Sequence, residues 1–168
     1  SSKHVVTIED PIEFLHKDKK SMVNQREIGS DTENFHIALR HVVRQSPDII
    51  MIGEMRDKET MEAALSAAET GHLVLSSLHT VDAIQTVERI INFFPPHQHN
   101  LIRLQLSLVL EGVVSQRLLP RKDGTGRVPA VEVMMSTPTI SELLLQGKTN
   151  ELYRAIKDGG YFGCQTFN

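Results

Sequence analysis

The sequence predicts an α/β fold in which a mostly parallel sheet is flanked by crossover helices. Strand-like and helix-like segments alternate along the first half of the chain. The segments "DIIMIG" and "HLVLSSL" are continuous apolar runs, which is typical of strands covered on both faces of a parallel sheet. Together, these observations indicate consecutive strand–helix–strand units.

Each element of the first half has its own local signals. "HVVTIEDP" is a short β-branched run closed by Pro11, and "FHIALRHVVRQ" carries a helical apolar stripe. "DKETMEAALSAAETG" is predicted to be a helix that Asp57 caps and Gly71 stops. "TVDAIQTVERIINFFPP" is predicted to be a further helix, which opens at Thr80 and is halted by Pro95.

The pattern changes after Pro96. "HNLIRLQLSLVLEGVV" is predicted to be a helix, and "SQRLLPRKDGTGRVPAVEVMM" a β-hairpin at the edge of the sheet. Thr137 and Pro138 open a short helix that Gly147 ends, and "NELYRAIKDGG" is predicted to be another. The final "GCQTFN" is predicted to start a new helix. Because both ends look cut, we expect the chain to be a piece of a longer protein.

Composition narrows the class of protein. The 168 residues are 40% hydrophobic, which fits one domain with a real core. The sequence contains no apolar run of 18 residues, the length needed to span a membrane. The first residues lack the pattern of a signal peptide, and the single cysteine, Cys164, indicates a reducing cytoplasm. A formal net charge of −3 and a pI of about 6.2 argue against a general nucleic-acid-binding protein.

Polar side chains follow three of the predicted strands, in "TIEDPIEF", "IGEMRD" and "SSLHT". Since ligands of open α/β sheets bind beyond the carboxyl ends of the strands, we expect a site there. Its candidate residues are Glu9, Asp10, Glu13, Glu54, Ser76, Ser77 and His79. Such crowding of carboxylates is unfavourable unless a cation relieves it, and Mg²⁺ bound to phosphates prefers oxygen ligands.

An apolar strand followed by a carboxylate, as "DIIMIG" is by Glu54, is typical of the Walker B segment of P-loop ATPases. The alternative is a strand whose next residues merely happen to be polar. A phosphate cradle would need G-x-x-x-x-G-K-[ST] between a strand and a helix. "QGKT" is a false match, because Glu142 stands where the first glycine would be and a predicted helix precedes it. The sequence therefore has the carboxylates for ATP chemistry without the cradle.

Three motifs carry a family resemblance. "VVTIEDPIEF" resembles the acidic box of the type II/type IV secretion ATPases, "DIIMIGEMRD" their Walker B segment and "ETGHLVLSSLHT" their His box. "MVNQREIG" and "GCQTF" are similar to flanking sequence of the same family. The resemblance runs in register from Val5 to the last residue and is greatest to the pilus retraction motors of the PilT and PilU type. "RIINFFP" and "STPTISELLLQGK" favour the PilU-like branch.

The resemblance implies a RecA-like P-loop NTPase core, truncated on its N-terminal side, with a C-terminal β-hairpin and short helices. Residues 1–168 would form a partial motor domain that contains Walker B and the His box but not Walker A. The intact protein would be a homo-hexameric ATPase on the cytoplasmic face of the inner membrane, peripheral to it, using ATP and Mg²⁺ to power pilus retraction and twitching motility. Its expected partners are an inner-membrane platform protein and a paralogous retraction motor, with no nucleic acid.

The resemblance also implies roles for five residues. Glu13 would polarise the attacking water, and Glu54 would be the carboxylate near Mg²⁺. His79 would contact the γ-phosphate, and His72 would shape the same box. Arg56 would link the site to a neighbouring subunit.

The family's Walker A segment and its N-terminal PAS-like domain would precede this chain. We therefore expect the 168 residues alone to bind ATP poorly and to turn it over negligibly. Two other functions stay open. One is an assembly module of the same motor without chemistry of its own, like an accessory PilU-type protein. The other is a metal-dependent hydrolase using Glu54, His72 and His79, which is weaker because transition-metal sites need three or four protein ligands, typically imidazole or thiolate, and the acidic residues suit Mg²⁺ better.

Overall fold

The computed structural model describes residues 2–167, which divide into two compact units that meet in sequence between Leu78 and His79. The first unit holds β1 (His4–Glu9), β2 (Met22–Glu27), α1 (Phe35–Val42), β3 (Ile49–Ile52), α2 (Lys58–Glu69) and β4 (Leu73–Ser76). The second holds α3 (Ala83–Asn92), α4 (His99–Val109), β5 (Gly112–Pro120), β6 (Arg127–Met135), α5 (Pro138–Gln146) and α6 (Leu152–Asp158).

The first unit is built on a four-stranded sheet in the order β2-β1-β3-β4, with every neighbouring pair parallel. This confirms the predicted parallel sheet. β2 was not predicted, because "MVNQRE" has neither an apolar run nor clean alternation. It joins the sheet as an edge strand, where backbone pairing with β1 suffices and only part of its surface is buried.

The core of the first unit lies on one face of this sheet. Alternate residues of the central strands point to it and pack against α1 and α2; the fully buried strand positions are Val6, Ile8, Ile50 and Ile52. Leu39 from α1 and Ala64 from α2 complete the cluster. On the other face, Leu73 is 44% and Leu75 48% exposed. The hydrophobic burial that holds the first unit together is therefore concentrated on one side of the sheet.

Helix caps in the first unit follow the sequence signals. The Asp57 side chain accepts hydrogen bonds from the backbone N–H of Thr60 (2.7 Å) and from its hydroxyl (2.9 Å), so α2 begins where predicted. α2 ends at Glu69, and Gly71 follows with a φ of +93°, a conformation that favours glycine. Among residues 2–167, no helix combines the length and the apolar character needed to cross a membrane.

The second unit corrects four expectations. α4 ends at Val109, and residues 112–114, predicted to belong to the same helix, begin β5. α3 begins at Ala83 with Asp82 as its cap, not at Thr80, because the Asp82 carboxylate accepts the Gln85 N–H at 2.8 Å. β5 and β6 form the predicted hairpin, but within residues 2–167 they make a separate two-stranded sheet and do not join the edge of the parallel sheet. Gln165 does not start a helix; its backbone pairs with Val133 of β6 in an antiparallel bridge.

The amino ends of β1 and β3 are joined by a polar contact that the sequence analysis did not single out. The Asp48 carboxylate accepts hydrogen bonds from the Lys3 ammonium and from the His4 backbone N–H, both at 2.8 Å. The bond from Lys3, with that from His4, holds the pKa of Asp48 below its ordinary value of 3.8. This contact fixes the register of β1 against β3 at one edge of the sheet.

We predict that Ile50→Ala lowers the free energy of unfolding of this chain by about 2–5 kcal/mol, since Ile50 is fully buried between two parallel neighbours and its loss leaves a cavity. Leu75→Ala, on the half-exposed face, is the matched control and should cost about half as much or less. Urea denaturation followed by circular dichroism measures both. Equal losses would contradict the one-sided core.

We predict that the stability difference between the wild type and Asp48→Asn depends on pH. Because the pKa of Asp48 is lower in the folded chain than in the unfolded chain, its contribution is present above the unfolded value and disappears as pH falls through the folded value. The difference should therefore be full at neutral pH and shrink below about pH 4. Denaturation curves from pH 7 to pH 3 test this, and a constant difference would contradict it.

Candidate functional site at the carboxyl edge of the parallel sheet

Three strands end together at one edge of the sheet, and Gly53 joins them. Its N–H donates to the Ile8 carbonyl at the end of β1 (2.8 Å), and its own carbonyl accepts from the Ser77 hydroxyl just after β4. The Met55 N–H in turn donates to the Ser77 carbonyl at 3.3 Å. A Cβ at position 53 would lie 3.3 Å from the Ile8 oxygen, so the close approach of β3 to β1 favours glycine.

Glu54 therefore leaves the sheet at the junction of the three strand ends. Its side chain is 13% exposed, and its Oε1 forms an ion pair with the guanidinium of Arg56, which is 68% exposed. Arg56 was predicted to link the site to a neighbouring subunit. In this chain its guanidinium pairs with the carboxylate two residues before it, and the link to a neighbouring subunit stays a prediction.

Glu9 has a structural position at the same edge. Its side chain is buried, and its Oε1 accepts hydrogen bonds from the Thr7 hydroxyl (2.6 Å) and from the Gln25 amide (3.0 Å). These contacts satisfy a carboxylate that would otherwise be costly to bury, and they link β1 to β2. Glu9 thus supplies negative charge to the edge while it remains bonded within the sheet.

Glu13 lies on the loop between β1 and β2 with its side chain exposed. The residues around it are held by β2. Gln25 contacts the backbone of Phe14 and His16, and Glu27 accepts the N–H of Ile12. Sequence reasoning treated "MVNQREIG" only as flanking sequence and missed these polar residues. The structure thus brings the loop of Glu13 and the strand end of Glu54 to the same edge of the first unit.

The structure does not bring His72 to this edge. His72 directly precedes β4, whose four residues at about 3.3 Å each separate it from the carboxyl end by roughly 13 Å. Its ring nitrogen Nδ1 lies 3.0 Å from the Ala67 carbonyl at the end of α2. Lys3 and Asp48 line the same cleft as His72, at the amino edge of the sheet. His72 therefore stabilises the turn from α2 into β4.

His79 begins the second unit and has an exposed side chain. The chain that follows it is tied to the β5–β6 hairpin. The Arg117 Nε donates to the Val81 carbonyl at 3.0 Å, and the buried Glu132 carboxylate accepts the Ala83 N–H at 2.9 Å. Glu132 therefore satisfies a backbone donor in the first turn of α3. The only sequence signal for this role is an acidic residue inside the apolar run "AVEVMM".

The donor set at the carboxyl edge consists of oxygens, which fits Mg²⁺ bound mainly through nucleotide phosphates and water. Across the described residues 2–167, no three histidine, cysteine or acidic side chains come together as a metal site. Two of the three residues of the metal-dependent hydrolase alternative, His72 and Glu54, lie at opposite ends of the strands. "QGKT" was rejected as a phosphate cradle, and Gly147 was predicted to end a helix instead. Gly147 does end α5, with a φ of +70°.

Comparison with known sequences identifies the family. The sequence model of the family described as "Type II/IV secretion system protein" matches residues 1–154. The type IV pilus retraction ATPase PilT of Pseudomonas aeruginosa is 50% identical over 165 residues, which are 98% of this chain and 48% of that protein. The type IV pilus ATPase PilU of the same organism is 46% identical over 168 residues, 100% of this chain and 44% of that protein. The chain belongs to the type II/IV secretion system protein family and spans about half the length of these relatives.

Solved structures agree with this family. A crystal structure of the pilus retraction motor PilT with bound ADP superposes with a TM-score of 0.88 at 51% identity, covering 93% of this chain and 45% of that chain. The Legionella pneumophila ATPase DotB gives a TM-score of 0.85 at 31% identity, covering 99% of this chain and 46% of that chain. The predicted α/β ATPase fold is thus confirmed. The identities to PilT and PilU are too similar to separate the two branches, so the PilU-like assignment stays a prediction.

We predict that Glu132→Ala lowers the free energy of unfolding by about 1–3 kcal/mol, because it leaves the buried Ala83 N–H without its acceptor. Glu132→Gln keeps a side chain of the same length with an acceptor oxygen and is the matched control, with an expected loss below about 1 kcal/mol. Chemical denaturation measures both. If the two variants are equally destabilised, the hydrogen bond to α3 is not what Glu132 contributes.

Proposed function

We propose that this chain is part of an ATPase of the type II/IV secretion family that hydrolyses ATP to power retraction of a type IV pilus, and hence twitching motility. The observation that carries the proposal is the position of Glu54, a carboxylate held just beyond a buried parallel strand where β1, β3 and β4 end together. In α/β sheets this edge is where ligands bind. The identity to the retraction ATPase PilT supports the choice of motor. An intact protein with normal nucleotide binding but no turnover would favour an assembly module instead.

The role that we propose for each site residue follows from where that residue lies. Glu13, exposed on the β1–β2 loop, is the general base that orients the attacking water, and Glu54 holds the metal side of the site. His79, also exposed, contacts the γ-phosphate of ATP. Arg56 orients the Glu54 carboxylate by pairing with it and links the site to a neighbouring subunit. His72 acts at a distance, by holding the turn from α2 into β4.

The cofactors we propose are ATP and Mg²⁺. When bound, Mg²⁺ would neutralise charge on the transferred phosphoryl group and polarise it, which is its usual contribution in ATPases. The oxygens of Glu54 suit that metal. The sequence contains no G-x-x-x-x-G-K-[ST] cradle, so these 168 residues supply the catalytic wall of the site and a Walker A segment elsewhere in the protein supplies the phosphate-binding wall. Residues 1–168 are accordingly part of one RecA-like motor domain.

We further propose that the intact protein acts as a homo-hexamer on the cytoplasmic face of the inner membrane. Its partners there are the pilus platform protein and a paralogous retraction motor. Similarity to the pilus retraction motor PilT and to the pilus ATPase PilU supports this assignment. Binding to nucleic acid is not part of the proposal, since the chain has a formal net charge of −3.

Glu54→Gln and Glu13→Gln, made separately in the intact protein, should each lower ATP turnover by about 10²-fold or more while leaving ADP affinity within about twofold. Both substitutions keep side-chain size and remove the negative charge on which the proposed roles depend. Steady-state ATPase assays and calorimetric ADP titration measure the two effects. Unchanged turnover in either variant would remove that residue from its assigned role.

A further inference from the structure

The loop that carries Glu13 is held in place in an unusual way. Parallel strands such as β1 and β2 are normally connected through a helix, but residues 10–21 contain no regular element. Nor does apolar burial order the loop, since Phe14 is 78% and Leu15 84% exposed. A proposed general base must nevertheless be held within a fraction of an ångström of its working position. Something else must therefore fix the backbone around Glu13.

The side chain of Gln25 supplies three contacts. From β2, its amide nitrogen donates to the Phe14 carbonyl at 2.9 Å, and its amide oxygen accepts the His16 N–H at 2.7 Å. The same nitrogen donates to the buried Glu9 carboxylate at 3.0 Å. The Glu9 contact fixes which end of the amide is the nitrogen. The Glu9 contact thus orients the Gln25 side chain, which in turn holds the backbone on the C-terminal side of Glu13.

Glu27 holds the other side. Its Oε2 accepts the N–H of Ile12, the residue before Glu13, at 3.0 Å. Its own position is set by the turn that follows β2, where the Ser30 hydroxyl lies 3.3 Å from Oε1 and the Asp31 carboxylate accepts the Glu27 N–H at 2.8 Å. The two β2 side chains therefore bond the backbone immediately before and immediately after Glu13.

We infer that Gln25 and Glu27 are positioning residues that act through Glu13, forming a polar clamp that fixes the proposed general base from the edge strand of the sheet. The inference rests on the proposed function. β2 would then do more than complete the sheet. Gln25 and Glu27 are two residues apart on this strand, so their side chains lie on the same face, beneath the loop. A hydrogen bond to each flank restricts the rotation of the backbone that aims the Glu13 carboxylate.

The test is Gln25→Met in the intact protein, which keeps an unbranched side chain of similar length and removes all three hydrogen bonds. We expect kcat to fall about 10- to 100-fold while KM and ADP affinity stay within about twofold, because binding is retained and the base is misplaced. Asn24→Ala is the matched control. Asn24 is the neighbouring amide on β2, but it contacts the His4 ring (3.0 Å) and not the loop, so its kcat should equal that of the wild type.

A double mutant separates positioning from general structure. If the clamp acts through Glu13, adding Gln25→Met to Glu13→Gln should change the residual turnover less than threefold, whereas a merely structural effect would lower it again by the full factor. Near-normal kcat in Gln25→Met, or equal losses in Gln25→Met and Asn24→Ala, would overturn the clamp. Normal turnover in Glu13→Gln would instead refute the proposed role of Glu13 itself, so the two failures are distinguishable.

Discussion

The backbone of Gly53 is the point on which the candidate site depends. Its N–H bonds to the end of β1 and its carbonyl to the residue after β4, so three parallel strands end in one small region with Glu54 directly beyond it. A Cβ at this position would lie 3.3 Å from the Ile8 carbonyl oxygen, so any other residue would require the two strands to move slightly apart. Parallel register brings the strand ends to one edge, and the glycine then allows them to meet.

That edge separates carboxylates by function. Glu9 is buried and bonded to Thr7 and Gln25, so it belongs to the sheet. Glu54 is paired with a mostly exposed arginine, which offsets the cost of holding a charge at a strand end. Glu13 is exposed on a loop whose backbone is bonded from β2. One carboxylate is therefore bonded within the sheet, one is paired with an arginine and one is exposed, and the proposed phosphoryl chemistry depends on how the last two are positioned.

The elements predicted well from sequence were those whose local sequence pattern alone determines their type and burial. β3 and β4 are short apolar runs, and α2 begins at a capping aspartate, so local pattern and final structure agree. β2 was missed because an edge strand can be polar and is stabilised by pairing that no local pattern encodes. His72 was grouped with His79 because they share a motif, but His72 directly precedes β4 and His79 comes three residues after it. The Gln25 contacts depend on parallel register, which a single sequence does not reveal.

If the carboxyl edge of the parallel sheet is the catalytic wall of a nucleotide site, a crystal structure of the intact protein with Mg²⁺ and a non-hydrolysable ATP analogue will show it. We expect the γ-phosphate and metal beside the ends of β1 and β3, with Glu54 and Glu13 in contact directly or through one water. A nucleotide bound instead at the amino edge, beside His72 and Asp48, would contradict it.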